Sequence, residues 1–150
     1  MKLHVLYGTE TGTAEALCDD LKLAVEGRHD CSVEELDDVS PANLDGETFY
    51  ILVSSTTGSG DVPSSAEGFY KALTREKPDL SHVRFAVFGL GDRTFGDTFA
   101  QGSEKIMAAM LDCHAVMVGE RGIFDASSPS MPEDLALPWL EQVLGAREAV

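Results

Sequence analysis

The stretch YGTETGTAEA, residues 7–16, places Gly8 and Gly12 among threonines and acidic side chains directly after the apolar run KLHVLY (2–7). Small residues let backbone N–H groups turn inward, and threonines add hydroxyl donors, so the loop is shaped to cradle a phosphate. It carries no lysine or arginine. A triphosphate loop of the Walker type needs G-x-x-x-x-G-K-[ST], whereas Gly12 is followed by Thr13, Ala14 and Glu15. A dinucleotide fingerprint needs G-x-G-x-x-G, and here three residues separate the two glycines. Two readings stand. A single phosphate monoester could be held by the Thr9, Thr11 and Thr13 hydroxyls and by N–H groups at the start of a helix, where the macrodipole favours an anion. Alternatively, Thr11 or Thr13 only caps that helix.

Outward from this loop, short apolar runs alternate with stretches of helical period. KLHVLY (2–7), CSVEEL (31–36), TFYILVS (48–54), VRFAVFG (83–89) and HAVMV (114–118) have strand length and β-branched or aromatic content. Leu17, Leu21, Ala24 and Val25 fall on one side of a helix predicted from about Thr13 to Glu26, opposite Asp19, Asp20 and Lys22. Later helices are predicted over 65–77, 104–112 and 133–145. Pro138 implies a late start or a kink in the last, and Gly145 its end. Such alternation means a mainly parallel sheet with helices on both faces. The glycine-bearing loops GTETG, SSTTGSGD and GLGDRTFGD follow the first, third and fourth predicted strands, so all three leave carboxyl ends. In a parallel sheet those ends share one edge, which puts the expected site in the crevice where strand order reverses.

Composition removes several classes of partner. The chain has 150 residues, 43% of them hydrophobic, enough for one domain with a core, expected to span 1–150. With 26 acidic against 11 basic residues and a formal net charge of -15, nucleic acid and anionic membranes would be repelled, and a basic protein surface is the matching partner. Apolar runs such as FYILV (49–53) are far below the ~20 residues of a membrane span, and no signal-peptide pattern opens the chain, so a cytoplasmic location is expected. Cys18, Cys31 and Cys113 form no C-x-x-C pair and read as reduced, packed thiols. His4, His29, His82 and His114 share no ligand spacing, and His4 and His114 fall inside predicted strands. No metal site is expected. Ser54, Ser55 and Ser59 lack a G-x-S-x-G elbow, so a hydrolase triad is not expected either. Trp139, at helical spacing from Val143, reads as a core or half-buried anchor.

YGTETGTAEAL, SSTTGSGDVPSSA and FGLGDRTFGDTF, in that order, resemble the three flavin loops of flavodoxin-type FMN proteins, in particular the FMN domains of diflavin reductases. The short length, the lack of a following reductase domain and the tail FDASSPSMPEDLALPWLEQVL are most similar to the small stand-alone MioC type. The resemblance implies an α/β, three-layer flavodoxin-like fold with a five-stranded parallel sheet in the order 2-1-3-4-5. It also implies noncovalent FMN, and electron transfer between a flavodoxin reductase and an acceptor enzyme without a chemical substrate; a monomer is expected. Carried over, it assigns the FMN phosphate to Thr9, Glu10 (through its backbone), Thr11, Gly12, Thr13 and Ala14. One side of the flavin ring falls to Ser55, Thr56, Thr57 and Gly58. The other side and the polar edge fall to Leu90, Gly91, Asp92, Phe95, Thr98 and Phe99, with Phe95 as the stacking aromatic.

Two departures from the family pattern carry consequences. Thr57 stands where many relatives have Trp or Tyr, so one ring face lacks an aromatic and weaker FMN retention is expected. RTFGDTF has one residue more between its aromatics than the diflavin pattern, which leaves the aim of Asp97 and Thr98 open. Asp61, Asp92 and Asp97 lie in the loops around an already dianionic phosphate, so like-charge repulsion is expected to lower the reduction potentials. Gly58 or Gly91 could let a peptide turn toward flavin N5. The rival functions are an FMN-dependent quinone or nitro reductase, for which no nicotinamide motif is evident, and an FMN-free module of the same fold. A phosphoacceptor receiver would need an acidic cluster at the end of LHVLYG, which offers none.

Overall fold

The central strand explains the architecture. In a computed structural model describing residues 2–9, 12–56, 61–92 and 101–148, β3 (Thr48–Ser54, TFYILVS) is buried at every position. Its side chains alternate between two cores, with Phe49, Ile51 and Val53 in one and Tyr50 and Leu52 in the other. A strand covered on both faces reads as a continuous apolar run, as parallel strands do.

Around it lie β1 (Lys2–Gly8), β2 (Asp30–Glu35), β4 (Arg84–Gly91), β5 (Val116–Met117) and β6 (Gly122–Asp125). Every pairing is parallel and the order is β2-β1-β3-β4-β5, with β6 also paired to β4. Helices α1 (Thr13–Val25) and α4 (Pro132–Glu148) cover one face, packing Leu17, Leu21, Trp139 and Leu140 against Leu3, Val5, Ile51 and Phe88. Helices α2 (Glu67–Glu76) and α3 (Gln101–Asp112) cover the other through Phe69, Leu73, Ile106 and Met110, against Leu6, Tyr50, Leu52 and Phe85. This is the three-layer arrangement, and the strand order, implied by the resemblance.

The register brings the carboxyl ends to one edge, β1 level with β3, and β4 level with β6 two residues further on. Gly8 pairs with Ser54, Ser54 with Gly89, and Gly91 with Asp125. Because β2 lies on one side of β1 and β3 on the other, the chain reverses its direction of travel between β1 and β3, and the crevice opens there.

The predicted fifth strand is corrected. HAVMV contributes only Val116–Met117, and the edge resumes at Gly122–Asp125 after a break containing Gly119 at φ 73°. His114 is not in a strand. It adopts φ 72° and closes α3, with its N–H donating to Leu111 O (2.9 Å) and the Ala115 N–H to Met110 O (3.1 Å). That pair of bonds is the Schellman pattern of a helix end. Gly145 does not end the last helix, and Pro138 neither delays its start nor ends it. Pro138 and Gly145 are exposed, while Ala136, Trp139, Leu140, Val143 and Leu144 are buried. Burying each larger side chain stabilises by about 1.5–3 kcal/mol, which together exceeds the ~3 kcal/mol cost of an interior proline and ~1 kcal/mol for glycine. Trp139 is the buried anchor expected: its indole N–H donates to Glu120 O at 2.9 Å and its ring lies 5.2 Å from that of Phe88. Cys18, Cys31 and Cys113 are free thiols, the first and last buried. No helix among the described residues is long and apolar enough to cross a membrane.

Helix α2 begins without a capping side chain of its own, because Ala66 occupies its N-cap position. The cap comes from a distant segment: Asp37 Oδ1 accepts the Phe69 N–H at 3.1 Å. Replacing Asp37 with Ala is expected to lower stability by about 1 kcal/mol, as loss of an N-cap does, with Asp37→Asn much milder. Urea unfolding should show a lower midpoint at unchanged slope.

Candidate functional site

The carboxyl ends of β1, β3 and β4 bring together residues far apart in sequence. Thr13, Ser55, Thr56, Leu90, Gly91 and Asp92 line a common cleft of about 160 Å³, joined by Phe124 and Ala126 from the end of β6. The Ser55 N–H donates to Gly8 O (2.9 Å), carrying the β1–β3 ladder one step past the strands, and the Ser54 hydroxyl donates to Ser55 O (2.9 Å). Thr56 Oγ1 accepts the Gly102 N–H at 3.0 Å, which ties the second loop to the start of α3. A Cβ on residue 102 would lie 2.5 Å from Ser55 O, so only glycine permits this approach. The Gly91 carbonyl accepts the Ala126 N–H at 2.7 Å, which holds the peptide after Gly91 in the ladder.

In the first loop Thr9 Oγ1 accepts the Gly12 N–H (2.8 Å) and Gly12 turns through φ 91° to become the N-cap of α1. That positive φ is open to glycine at little cost. Thr13 is therefore the first helical residue rather than the cap. A Cβ built on Gly12 meets no described atom within 4 Å. The first N–H groups of a helix have no carbonyl one turn back, and the positive end of the macrodipole lies with them. The Thr9 hydroxyl, having accepted from Gly12, keeps its own proton to donate.

The surroundings of this anion-binding geometry are negative. Burial raises the pKa of the Tyr7 hydroxyl, with Glu15 and Glu35 adding to it, and burial followed by Asp38, Asp37 and Glu15 raises that of the Glu35 carboxyl. Asp61, expected beside the flavin, has an ion pair with Lys105 Nζ at 3.0 Å, so part of its charge is offset.

Uncharged donors at a helix start suit one phosphate, and the apolar walls of Leu90 and Phe124 suit a flat ring beside it. The sequence model of the flavodoxin family matches residues 5–139. The chain belongs to the flavodoxin family. The chain is 33% identical over 138 residues to Protein MioC of Escherichia coli K12, covering 92% of each. It is 34% identical over 140 residues to NADPH-dependent diflavin oxidoreductase 1 of Emericella nidulans, and 33% identical over 153 residues to pyruvate dehydrogenase (NADP+) of Cryptosporidium parvum. It spans only 21% and 8% of those two proteins. Among solved structures, a cysteine-to-serine mutant of flavodoxin from Pseudomonas aeruginosa superposes with TM-score 0.79 at 29% identity, over 97% of this chain and 98% of that one. Oxidised flavodoxin 1 from Bacillus cereus shares the fold with TM-score 0.81 at 20% identity, over 97% and 98%. Flavodoxins carry electrons on FMN and are not enzymes with a substrate of their own; FMN is the cofactor of this chain.

Of the residues that the sequence assigned to the flavin, Thr13, Ser55, Thr56, Leu90, Gly91 and Asp92 meet at the cleft, and Thr9 and Gly12 shape the loop beside it. The Ala14 side chain is buried in the core, so only its backbone can serve. Glu10, Thr11, Thr57, Gly58, Phe95, Thr98 and Phe99, with Ser59 and Asp97, lie outside the described residues. Sequence reasoning missed Phe124, Ala126 and Ser65. Phe124 lies in, and Ala126 just after, a strand of four residues, too short for its pattern to register, and Ser65 lies inside the quoted second loop motif but acts on the first loop.

Two outcomes follow from this geometry. Gly102→Ala forces the start of α3 away from Ser55, and FMN affinity is expected to fall about tenfold, the equivalent of ~1.4 kcal/mol, by flavin fluorescence quenching of the apoprotein. FMN affinity is also expected to rise between about 0.01 M and about 0.1 M salt. The screening length shrinks there from ~30 to ~10 Å, and the repulsion between phosphate and protein fades with it.

Proposed function

We propose that residues 1–150 act as one FMN-binding domain that accepts electrons from a basic-surfaced reductase and passes them to an acceptor enzyme, as a cytoplasmic monomer. The observation that carries this reading is a cleft of neutral donors at a helix start in a protein of net charge -15. In this reading Thr9, Gly12, Thr13 and the Ala14 N–H hold the phosphate, with Glu10 and Thr11. Ser55, Thr56, Leu90, Gly91 and Asp92 border the ring, with Thr57, Gly58, Phe95, Thr98 and Phe99. The free thiols of Cys18, Cys31 and Cys113 favour a reducing compartment.

Bound FMN supplies one- and two-electron chemistry. The chain holds it at an edge of the sheet, where a partner can approach the ring closely, and its walls keep water from one side. Helix α4 begins near this same edge, because β6 ends there at Asp125 and a short connection, residues 126–131, leads to Pro132. Met131 (58% exposed) and Leu135 (45%) stand one helical turn apart there, beside Glu133 and Asp134. Apolar side chains among carboxylates suit a transient partner with a basic rim, since complementary charge speeds encounter more than it strengthens the complex.

The test is direct. The purified protein should be yellow, and its apoprotein should quench added FMN. The photoreduced holoprotein should reduce cytochrome c, a basic redox protein, at a rate that falls steeply with salt, while oxidising no NADPH by itself. A colourless protein indifferent to FMN would reject the reading.

A further inference from the structure

Ser65 lies in a single 3-10 turn, Ser64–Ala66, between the second glycine loop and α2, yet its hydroxyl is spent on the first loop. The Thr9 N–H donates to Ser65 Oγ at 2.7 Å, and Ser65 Oγ–H donates back to Thr9 O at 3.1 Å. One side chain thus fixes the peptide units on both sides of Thr9 across 56 residues of sequence. Thr9 passes the constraint on, because its own Oγ1 accepts the Gly12 N–H and Gly12 sets the start of α1.

The hydroxyl is not needed to seat its own turn. Ala66 N–H bonds to Pro63 O at 2.9 Å, and a Cβ on Gly8 would lie 2.8 Å from Ala66 Cβ and 3.0 Å from Pro63 Cγ, so the segment already rests against β1 by packing. What the hydroxyl adds falls on Thr9. A loop whose donors are already aimed loses less entropy when the anion arrives, which is how preorganisation raises affinity.

We propose that Ser65 is a positioning residue that presets the phosphate loop, and that it sets the preference for FMN over riboflavin, the same ring system without the phosphate. The proposal rests on the FMN reading above. Ser65 acts through Thr9 and Gly12, and its effect belongs to the phosphate alone.

The experiment titrates apoprotein with FMN and with riboflavin, following flavin fluorescence, for the wild type, Ser65→Ala and Ser65→Thr. Ser65→Ala should weaken FMN about tenfold, the scale of one or two well-placed hydrogen bonds, and leave riboflavin unchanged; Ser65→Thr, which keeps the hydroxyl, should recover most of the loss. Equal weakening of both flavins, or of neither, overturns the proposal while the wild type still binds FMN. A wild type that binds no FMN defeats the underlying reading, and the proposal with it. Amide hydrogen exchange of the wild-type apoprotein provides a measurement that needs no variant. The Thr9 and Gly12 amides should be protected before FMN is added, and exchange at the rate of an unstructured chain at either one overturns the proposal.

Discussion

A sheet strand buried on both faces can be reached from water only at its ends. In this chain β3 is such a strand: β1 finishes level with it at Gly8, and β4 runs two residues further on the same edge, to Gly91. The rest of the molecule follows from that constraint. Helices must cover both faces, so each crossover returns the chain to the opposite edge, and each outgoing loop is delivered to the same one. The site is assembled by backbone register before any side chain takes part. The bonds from Ser55 to Gly8 and from Ala126 to Gly91 extend the ladder beyond the strands, so the cleft walls inherit the stiffness of the sheet.

The second constraint is electrostatic and runs the other way. A protein with 26 acidic and 11 basic residues would repel a phosphate dianion at long range. In the proposed reading the first loop answers with short-range donors, helix-start N–H groups and hydroxyls. Directed hydrogen bonds act over a few ångströms and survive salt, whereas the surrounding repulsion does not. In the proposed role, the same acidic surface that opposes the cofactor would attract a basic partner, giving binding and docking opposite salt dependences.

The layers, the strand order and the convergence of three loops were legible in sequence because each rests on a local signal: TFYILVS as a continuous apolar run, and glycines placed just after strands. The failures share a cause. His114 looked like the start of a strand but serves as the left-handed end of α3, a role normally given to glycine or asparagine. Gly145 looked like a helix stop and Pro138 like a late start or a kink, yet the helix starts at Pro132 and runs past Gly145, local propensity losing to the burial of Trp139, Leu140, Val143 and Leu144. Asp37 capping α2 and Ser65 gripping Thr9 join segments 32 and 56 residues apart, a separation over which periodicity carries no information. The loop motifs identified the cleft, while the long-range bonds that hold it together became visible only in three dimensions.

Trp139 is the one tryptophan of the chain, and it sits far along the sequence from the first two flavin loops, 8% exposed, with its ring on Phe88 and its N–H on Glu120. Its emission colour therefore reports whether the final helix is seated on the sheet, whereas flavin absorbance reports whether the cofactor is bound. A single sample can thus show, at two wavelengths, whether cofactor release and loss of the helical layer are one event or two.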